Sequence, residues 1–376
     1  MRIGILTLRL HNNYGGILQA YALQTVLERM GHSVEVIDIK SSKSLPLWKL
    51  PLIYTKRIVM KFLLGRDVRI FLEQYERKYW PMMCQFTYKF IDKYIHRLSF
   101  DNVDVLAHEI FDVYIVGSDQ VWRPGYFGKI EHAFLDFTKN QNVRRISYAA
   151  SFGVDNWEYT NQQTENCRKL IQNFNAVSVR EKSGVDLCKR YLHHDAEWVL
   201  DPTMLLDKED YINLIKAKNV TKSKGNLMFY LLDETPSIMD FIHQISEKKG
   251  LIPFRVGSKV NDRTAPIEER IQPPLEEWLR GFYDADVVVT DSFHACVFSI
   301  IFRKQFLVVG NRKRGQSRFE SLLEMFGLEN CLCDMNNSTI TFSEINFDKV
   351  HEKLNGLREH SMDFLQKALN DKHNVN

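Results

Sequence analysis

The sequence predicts an α/β protein of two domains, each a mainly parallel sheet with crossover helices, facing each other across a cleft. Three observations carry this. Short β-branched runs recur along the chain, end in glycine or small polar residues, and are followed by stretches of helical period. At 376 residues and 44% hydrophobic the chain is too long for one ordinary core and apolar enough for two. Asp201-Pro202 punctuates the chain between two series of such units.

The units follow in order. Residues 2 to 8 alternate and end at His11-Asn12-Asn13-Tyr14-Gly15-Gly16, after which ILQAYALQTVLERMG runs at helical period to a stop at Gly31. SVEVIDI is the next strand. FDVYIVG ends in Ser118-Asp119-Gln120, RRISYAA in Ser151-Phe152-Gly153, and AVSV in Arg180-Glu181-Lys182-Ser183. Beyond a boundary placed near residues 201 to 225, NLMFYLL, LIPFRVG, DVVVT and QFLVVG form the second series. The expected domains are 1–205, the acceptor side, and 206–342, the donor side. A charged helical segment, 343–376, covers the outside.

Composition excludes several classes. A net charge of +3 is too mild for a dedicated nucleic-acid binder. No run is long and apolar enough to span a bilayer, and MRIGILTLRLHNN does not read as a signal peptide. The six cysteines lack zinc or redox spacing, which fits reduced thiols in a cytoplasm.

The most informative stretch is ADVVVT followed by DSFHACVFSIIF. Here a strand stops at Thr290, Asp291 and Ser292 can cap a helix, and His294 falls in its first turn. Helix N-termini beyond the carboxyl ends of parallel strands offer free amides and partial positive charge, so a histidine there can contact an anion. It can equally pack. Asn13 to Gly16 form a side-chain-poor turn that a ligand could approach closely, or simply a tight turn. Asp119 can orient or deprotonate a sugar hydroxyl, or cap a turn. Trp122 offers a stacking face or a packing residue. Arg180 at a strand's carboxyl end suits a carboxylate or phosphate, or a surface ion pair. Arg312, Arg314 and Arg318 follow QFLVVG and collect cations at the same sheet edge, with Arg318 best placed because it begins a helix. Asp284-Ala285-Asp286 imitates a metal-binding D-x-D but precedes its strand. His193-His194-Asp195, read as strand, points adjacent histidines to opposite faces and lacks a third ligand.

Taken together, NYGGILQAYALQ, VGSDQVW, YAASFG, SVREKSG, LDPTML, the DSFHA turn and SRFESLLEMFGL resemble the polysaccharide pyruvyl transferase family over roughly residues 1 to 330. The resemblance implies two Rossmann-like domains arranged as in B-type (GT-B) glycosyltransferases. It also implies transfer of the pyruvyl unit of phosphoenolpyruvate to a sugar of a surface polysaccharide or its precursor, as a ketal. His294 matches the family histidine and Arg180 an arginine associated with the donor. Many members carry Arg-Leu-His where this chain has Ser292-Phe293-His294. The missing charge then falls to Arg318, or else to Arg312 or Arg314. His294 is the expected principal acid/base, and Asp119, also expected to be catalytic, faces the acceptor from the opposite domain. Arg180, Ser292 and Arg318 are expected to hold the donor, and Asn13, Gly15, Gly16 and Trp122 the acceptor. Neither metal nor cofactor is required.

Two rivals remain at this level: a B-type glycosyltransferase using a nucleotide sugar, and a non-catalytic carbohydrate-binding protein. Titration with phosphoenolpyruvate against nucleotide diphosphates separates the first, and loss of turnover on removing His294 the second. Residues 45 to 80 stand apart, mixing Trp48, Ile53, Ile58 and Phe62 with Lys49, Lys56, Arg57, Lys61, Arg66 and Arg69. Such a segment suits an anionic membrane surface, and hence a cytoplasmic protein peripheral to the inner face with a lipid-linked acceptor. It suits better a helical excursion packed on its own domain with its basic side in water.

Overall fold

The computed structural model describes residues 1–39, 50–65, 68–108, 111–139, 141–260, 262–310, 316–333 and 344–370. Strands β1 (Arg2–Leu6), β2 (Ser33–Ile39), β3 (Arg97–Phe100), β4 (Val113–Val116), β5 (Arg144–Ala150), β6 (Ala176–Val179) and β7 (Glu197–Trp198) form one sheet. Its order is β3-β2-β1-β4-β5-β6-β7, and every neighbouring pair is parallel. Strands β8 (Leu227–Tyr230), β9 (Pro253–Arg255), β10 (Val287–Thr290), β11 (Gln305–Val309) and β12 (Leu332–Cys333) form a second. Its order is β12-β11-β10-β8-β9, again with only parallel pairs.

All nine runs read as strands are strands. The three that escaped, β3, β7 and β12, each have at most one neighbour and are two to four residues long. The alternation expected in β1 is not observed, because Ile3, Gly4, Ile5 and Leu6 are all buried. A central parallel strand is covered on both faces and reads as a continuous apolar run: Ile3 and Ile5 face one core, Leu6 the other. His193 ends a helical turn, Cys188–Leu192, in the left-handed conformation (φ 53°), so it does not lie on a strand. Asp284 and Asp286 precede β10 and accept hydrogen bonds from Ser223 N and Asn226 Nδ2.

The two sheets meet along the helix Tyr14–Arg29. One apolar core runs from Ile3 and Leu18 through Tyr211 to Val288 and Phe298, so the halves share buried surface rather than merely touching. Tyr14 donates to Pro273 O at 2.7 Å, and Gln272 Nε2 donates to Asn12 O at 2.7 Å. These bonds fix the loop after β1 against the second half. The helix Phe347–Asn370 buries Leu354, Phe364 and Leu365. It straps both halves: His351 Nε2 donates to Ile300 O, while Ser361 Oγ accepts from Leu200 N and Arg144 donates to Ala368 O. Among the described residues, no helix is long and apolar enough to cross a membrane.

Candidate active site

Parallel strands aim their carboxyl ends one way, so the loops after them converge. Between the two sheets they enclose a cavity of about 590 Å³. Its wall takes Asn12 and Asn13 from beyond β1, Asp119 and Gln120 from beyond β4, and Tyr230 to Glu234 at the end of β8. Ser258 to Val260 come from beyond β9, Asp291 to His294 from beyond β10, and Arg318 from the helix Ser317–Phe326.

The wall is sharply polarised by its partners. Asp291 does not face an incoming anion with free charge, since its carboxylate accepts from the backbone N–H groups of Leu232 and Asp233 at 2.6 and 3.0 Å. Ser292 is the N-cap of the helix Phe293–Ile301 without a side-chain cap bond, and its own N–H donates to Thr290 Oγ1. First-turn amides of that helix therefore point toward the cavity without a side-chain acceptor at their head.

His294 is buried with Nε2 3.5 Å from Asp201 Oδ2. Asp201 also accepts from Arg180 Nη1 at 3.0 Å and, through Oδ1, from Thr203 N and Oγ1 at 3.0 and 2.7 Å. Burial acts to raise the Asp201 carboxyl, but His294, Arg180 and Thr203 together hold it well below the usual range. Arg180 also meets Glu181 Oε1 at 3.3 Å and Asp119 Oδ1 at 3.8 Å. Ser151 Oγ donates to Glu181 at 2.6 Å. Three carboxylates thus surround one guanidinium. Arg318 lies at the far side of this group; burial first, then the nearby charge of Arg180, pull it down to about 10, so it stays a cation at neutral pH.

One residue from each of the separated motifs enters this cluster: Gly15, Asp119, Ser151, Arg180, Asp201, His294 and Arg318. Gly15 belongs because a Cβ there would stand 2.1 Å from Cγ and Nδ1 of His294. Gly15 and Gly16 sit in the first turn of the helix Tyr14–Arg29, so the expectation of a tight turn gives way to a close approach across the cleft. Asn13 is the N-cap of that helix, and its Nδ2 lies 3.4 Å from Asp119 Oδ2.

Two expectations need correction. Trp122 is fully buried, stacks on Phe134 at 4.9 Å and donates to Ala133 O; it has no face for a sugar. Arg180 does not line the cavity: its side chain is 1% exposed and lies 4.4 Å from the centre of the Phe293 ring, behind the wall. Its charge acts on the site through Asp201, Glu181 and Asp119. Arg312 and Arg314 lie outside the described residues. Asp201 and Glu181 are the residues the sequence reading missed. Both stand just past a strand end, as Arg180 does, but Asp201 read as punctuation before Pro202.

Two parallel α/β sheets face each other across a cleft, with a buried histidine, carboxylates and an arginine at the seam, a two-sheet arrangement of the B-type glycosyltransferase kind. The model of the polysaccharide pyruvyl transferase family matches residues 13–313, and the chain belongs to that family. No curated protein sequence matches significantly. Among solved structures, the chain is similar to UDP-GlcNAc 2-epimerase from Neisseria meningitidis (10% identity, 98% of this chain and 94% of that one, TM-score 0.47). It is also similar to MurG of Acinetobacter baumannii (10%, 97% and 99%, TM-score 0.41) and to ADP-heptose LPS heptosyltransferase II of E. coli (11%, 96% and 99%, TM-score 0.36). At these scores the likenesses carry no weight for function; the family match does.

Proposed function

We propose that this transferase moves the pyruvyl group of phosphoenolpyruvate onto a saccharide as a ketal, with His294 as the principal acid/base. The observation that supports this reading best is the placement of His294, held against Asp201 in a wall that also carries Arg318 and, from the opposite sheet, Asp119. Phosphoenolpyruvate carries a carboxylate and a phosphate on an enol carbon. Protonating the methylene makes the neighbouring carbon electrophilic, and a sugar hydroxyl attacks it while giving up its proton to a base. The carbon–oxygen bond to phosphate then breaks, phosphate leaves with the electron pair, and a second hydroxyl attacks the same carbon to close the ketal, its proton passing to the departing phosphate.

Each step requires something the wall contains. A cation and amide dipoles stabilise the donor's charge: Arg318 and the first turn of the helix Phe293–Ile301 supply them. A group that both gives and takes a proton near neutral pH is needed, and histidine is the side chain suited to both. Asp201 orients its ring, as a carboxylate does in other acid/base pairs. Asp119 and Asn13 face the acceptor. The three carboxylates and three basic side chains of this cluster are the groups to which the reading assigns binding and proton transfer.

Incubation with phosphoenolpyruvate, or with nucleotide diphosphate sugars in parallel, and a panel of free and lipid-linked saccharides tests the reading. A pyruvyl adduct by mass spectrometry with matched phosphate release is the expected result. A glycosyl adduct instead would replace phosphoenolpyruvate as donor.

A further inference from the structure

The helix Leu50–Phe62 buries none of its residues, yet it is not a polar helix. Leu52, Val59 and Phe62 recur at helical spacing on its outer side, and Leu63 and Leu64 continue the surface; Leu52, Phe62 and Leu63 are 69%, 72% and 77% exposed. A surface helix ordinarily turns such a stripe inward. Here polar clamps hold it the other way. Arg57 pairs with both oxygens of Glu73 at 2.7 and 2.8 Å and donates to Ile70 O, while the Tyr54 ring meets Phe71 at 5.1 Å. The inner side is thus fixed to the helix Leu72–Met83 by an ion pair and one ring, and the apolar stripe is left outward.

The charge of this stretch of chain has one sign. From residue 40 to 66 the sequence holds seven lysines and arginines and no acid. Lys56 and Lys61 are exposed on the helix. They line a second cavity of about 670 Å³ with Arg69 and Arg263. Its position matters: Arg263 and Thr264 directly follow Asp262, which lines the active-site cavity. Arg69 donates to Arg263 O at 3.3 Å, and Trp80, on the next helix, packs edge-on against His11 at 5.4 Å beside the Asn12–Asn13 loop. The helix that bears the stripe is therefore linked through its inner side to the segment that lines the cleft.

We propose that this face docks on an anionic lipid surface, with Leu52, Val59, Phe62, Leu63 and Leu64 entering the headgroup boundary and the lysines meeting lipid phosphates. Outward apolar side chains on a helix that carries cations and no acid of its own, the nearby Glu73 being already paired with Arg57, match that occupant on both counts. Docking there brings the cleft to a saccharide carried on the same bilayer. The inference does not depend on which donor the enzyme uses.

The test is flotation of the full chain with vesicles of phosphatidylcholine alone, or mixed with phosphatidylglycerol, at low and high salt. The expected result is binding to the anionic vesicles at low salt, fading as salt screens the charge over about 10 Å, and weak binding to phosphatidylcholine. Lys56→Gln with Lys61→Gln, and separately Phe62→Ser with Leu63→Ser, should each lower the partition coefficient at least about tenfold with unchanged melting temperature. All of these residues are exposed, and the salt titration of the unaltered protein gives a readout independent of any variant. Absence of flotation, equal binding to both vesicle types, or undiminished binding by either double variant overturns the proposal. So does a solution dimer that Phe62→Ser with Leu63→Ser converts to monomer, which would make the face an interface between copies.

Discussion

His294 Nε2 stands 3.5 Å from Asp201 Oδ2, and the same carboxylate oxygen accepts from Arg180 at 3.0 Å. One buried oxygen therefore lies between an acid/base candidate and a permanent cation. With His294 protonated, the three cations His294, Arg180 and Arg318 face the three carboxylates Asp119, Glu181 and Asp201. With it neutral, a carboxylate is in excess. The proton that the proposed chemistry moves is thus also the charge that balances the cluster.

His294→Ala should fold, since its ring lines a cavity and does not fill a core, but lose turnover by roughly a hundredfold or more. The donor's Michaelis constant should change much less than turnover does. Steady-state kinetics decide it: near-normal turnover would leave His294 a packing residue.

Asp201→Asn should both slow turnover and destabilise the fold, by about 3 kcal/mol, because it leaves Arg180 buried with one carboxylate fewer. The Asp201 carboxyl is depressed in the folded state, so its stabilisation is fully present above the unfolded carboxylate value of about 3.9 and is lost as pH falls toward the folded one. Urea midpoints should therefore differ by a constant amount near neutrality and converge below about pH 4. A gap that stays constant into acid would show that the carboxylate's charge is not what stabilises.

Arg318→Ala should raise the donor's Michaelis constant about tenfold or more, whereas Lys259→Ala should change it less than about twofold. Both residues line the cavity, but Lys259 is half-buried and paired with Glu269 at 2.7 Å, while Arg318 is buried at the start of a helix. Equal effects from the two variants would remove Arg318 from the donor site.

The strands of both sheets were legible because β-branched runs bounded by polar turns leave little choice of local structure. So was the convergence of Asp119, His294 and Arg318, because parallel strands share a direction. What local pattern could not give is how many carboxylates meet one arginine. Arg180 ends its strand as a ligand-binding residue would, but Asp119, Glu181 and Asp201 arrive from three separate loops and enclose it. Trp122 misled for the same reason. Asp119, Gln120 and Arg123 near it in sequence are polar, while Phe134 and Phe152, which cover it, lie 12 and 30 residues away.

Trp122→Ala should cost about 3–5 kcal/mol of stability, the range for emptying a fully buried indole site. Trp122→Phe, which keeps most of the packing, should leave the acceptor's Michaelis constant within about twofold. A large rise in that constant with unchanged melting would return Trp122 to the sugar site.

Gly15 carries the most specific prediction, because it concerns contact between the two halves. A methyl group there would stand 2.1 Å from Cγ and Nδ1 of His294 and 2.7 Å from its Cβ, closer than atoms can approach. The residue lies inside the helix Tyr14–Arg29, where alanine is favoured over glycine by about 1 kcal/mol. Locally, then, Gly15→Ala suits the helix, and only the His294 ring objects. Either the ring swings away from Asp201 or the two helix N-termini part, and both remove the acid/base from its place. We expect turnover to fall nearly as far as in His294→Ala while the chain remains folded. Gly16→Ala should be milder, since its methyl would meet the Asn13 amide at 3.0 Å and Asp119 Oδ2 at 3.4 Å, contacts that a small side-chain shift relieves. Gly356→Ala, in the helix Phe347–Asn370 with nothing within 4 Å, should be neutral or slightly stabilising and serves as the control. Wild-type turnover in Gly15→Ala would mean that His294 does not work at the seam where the two sheets meet.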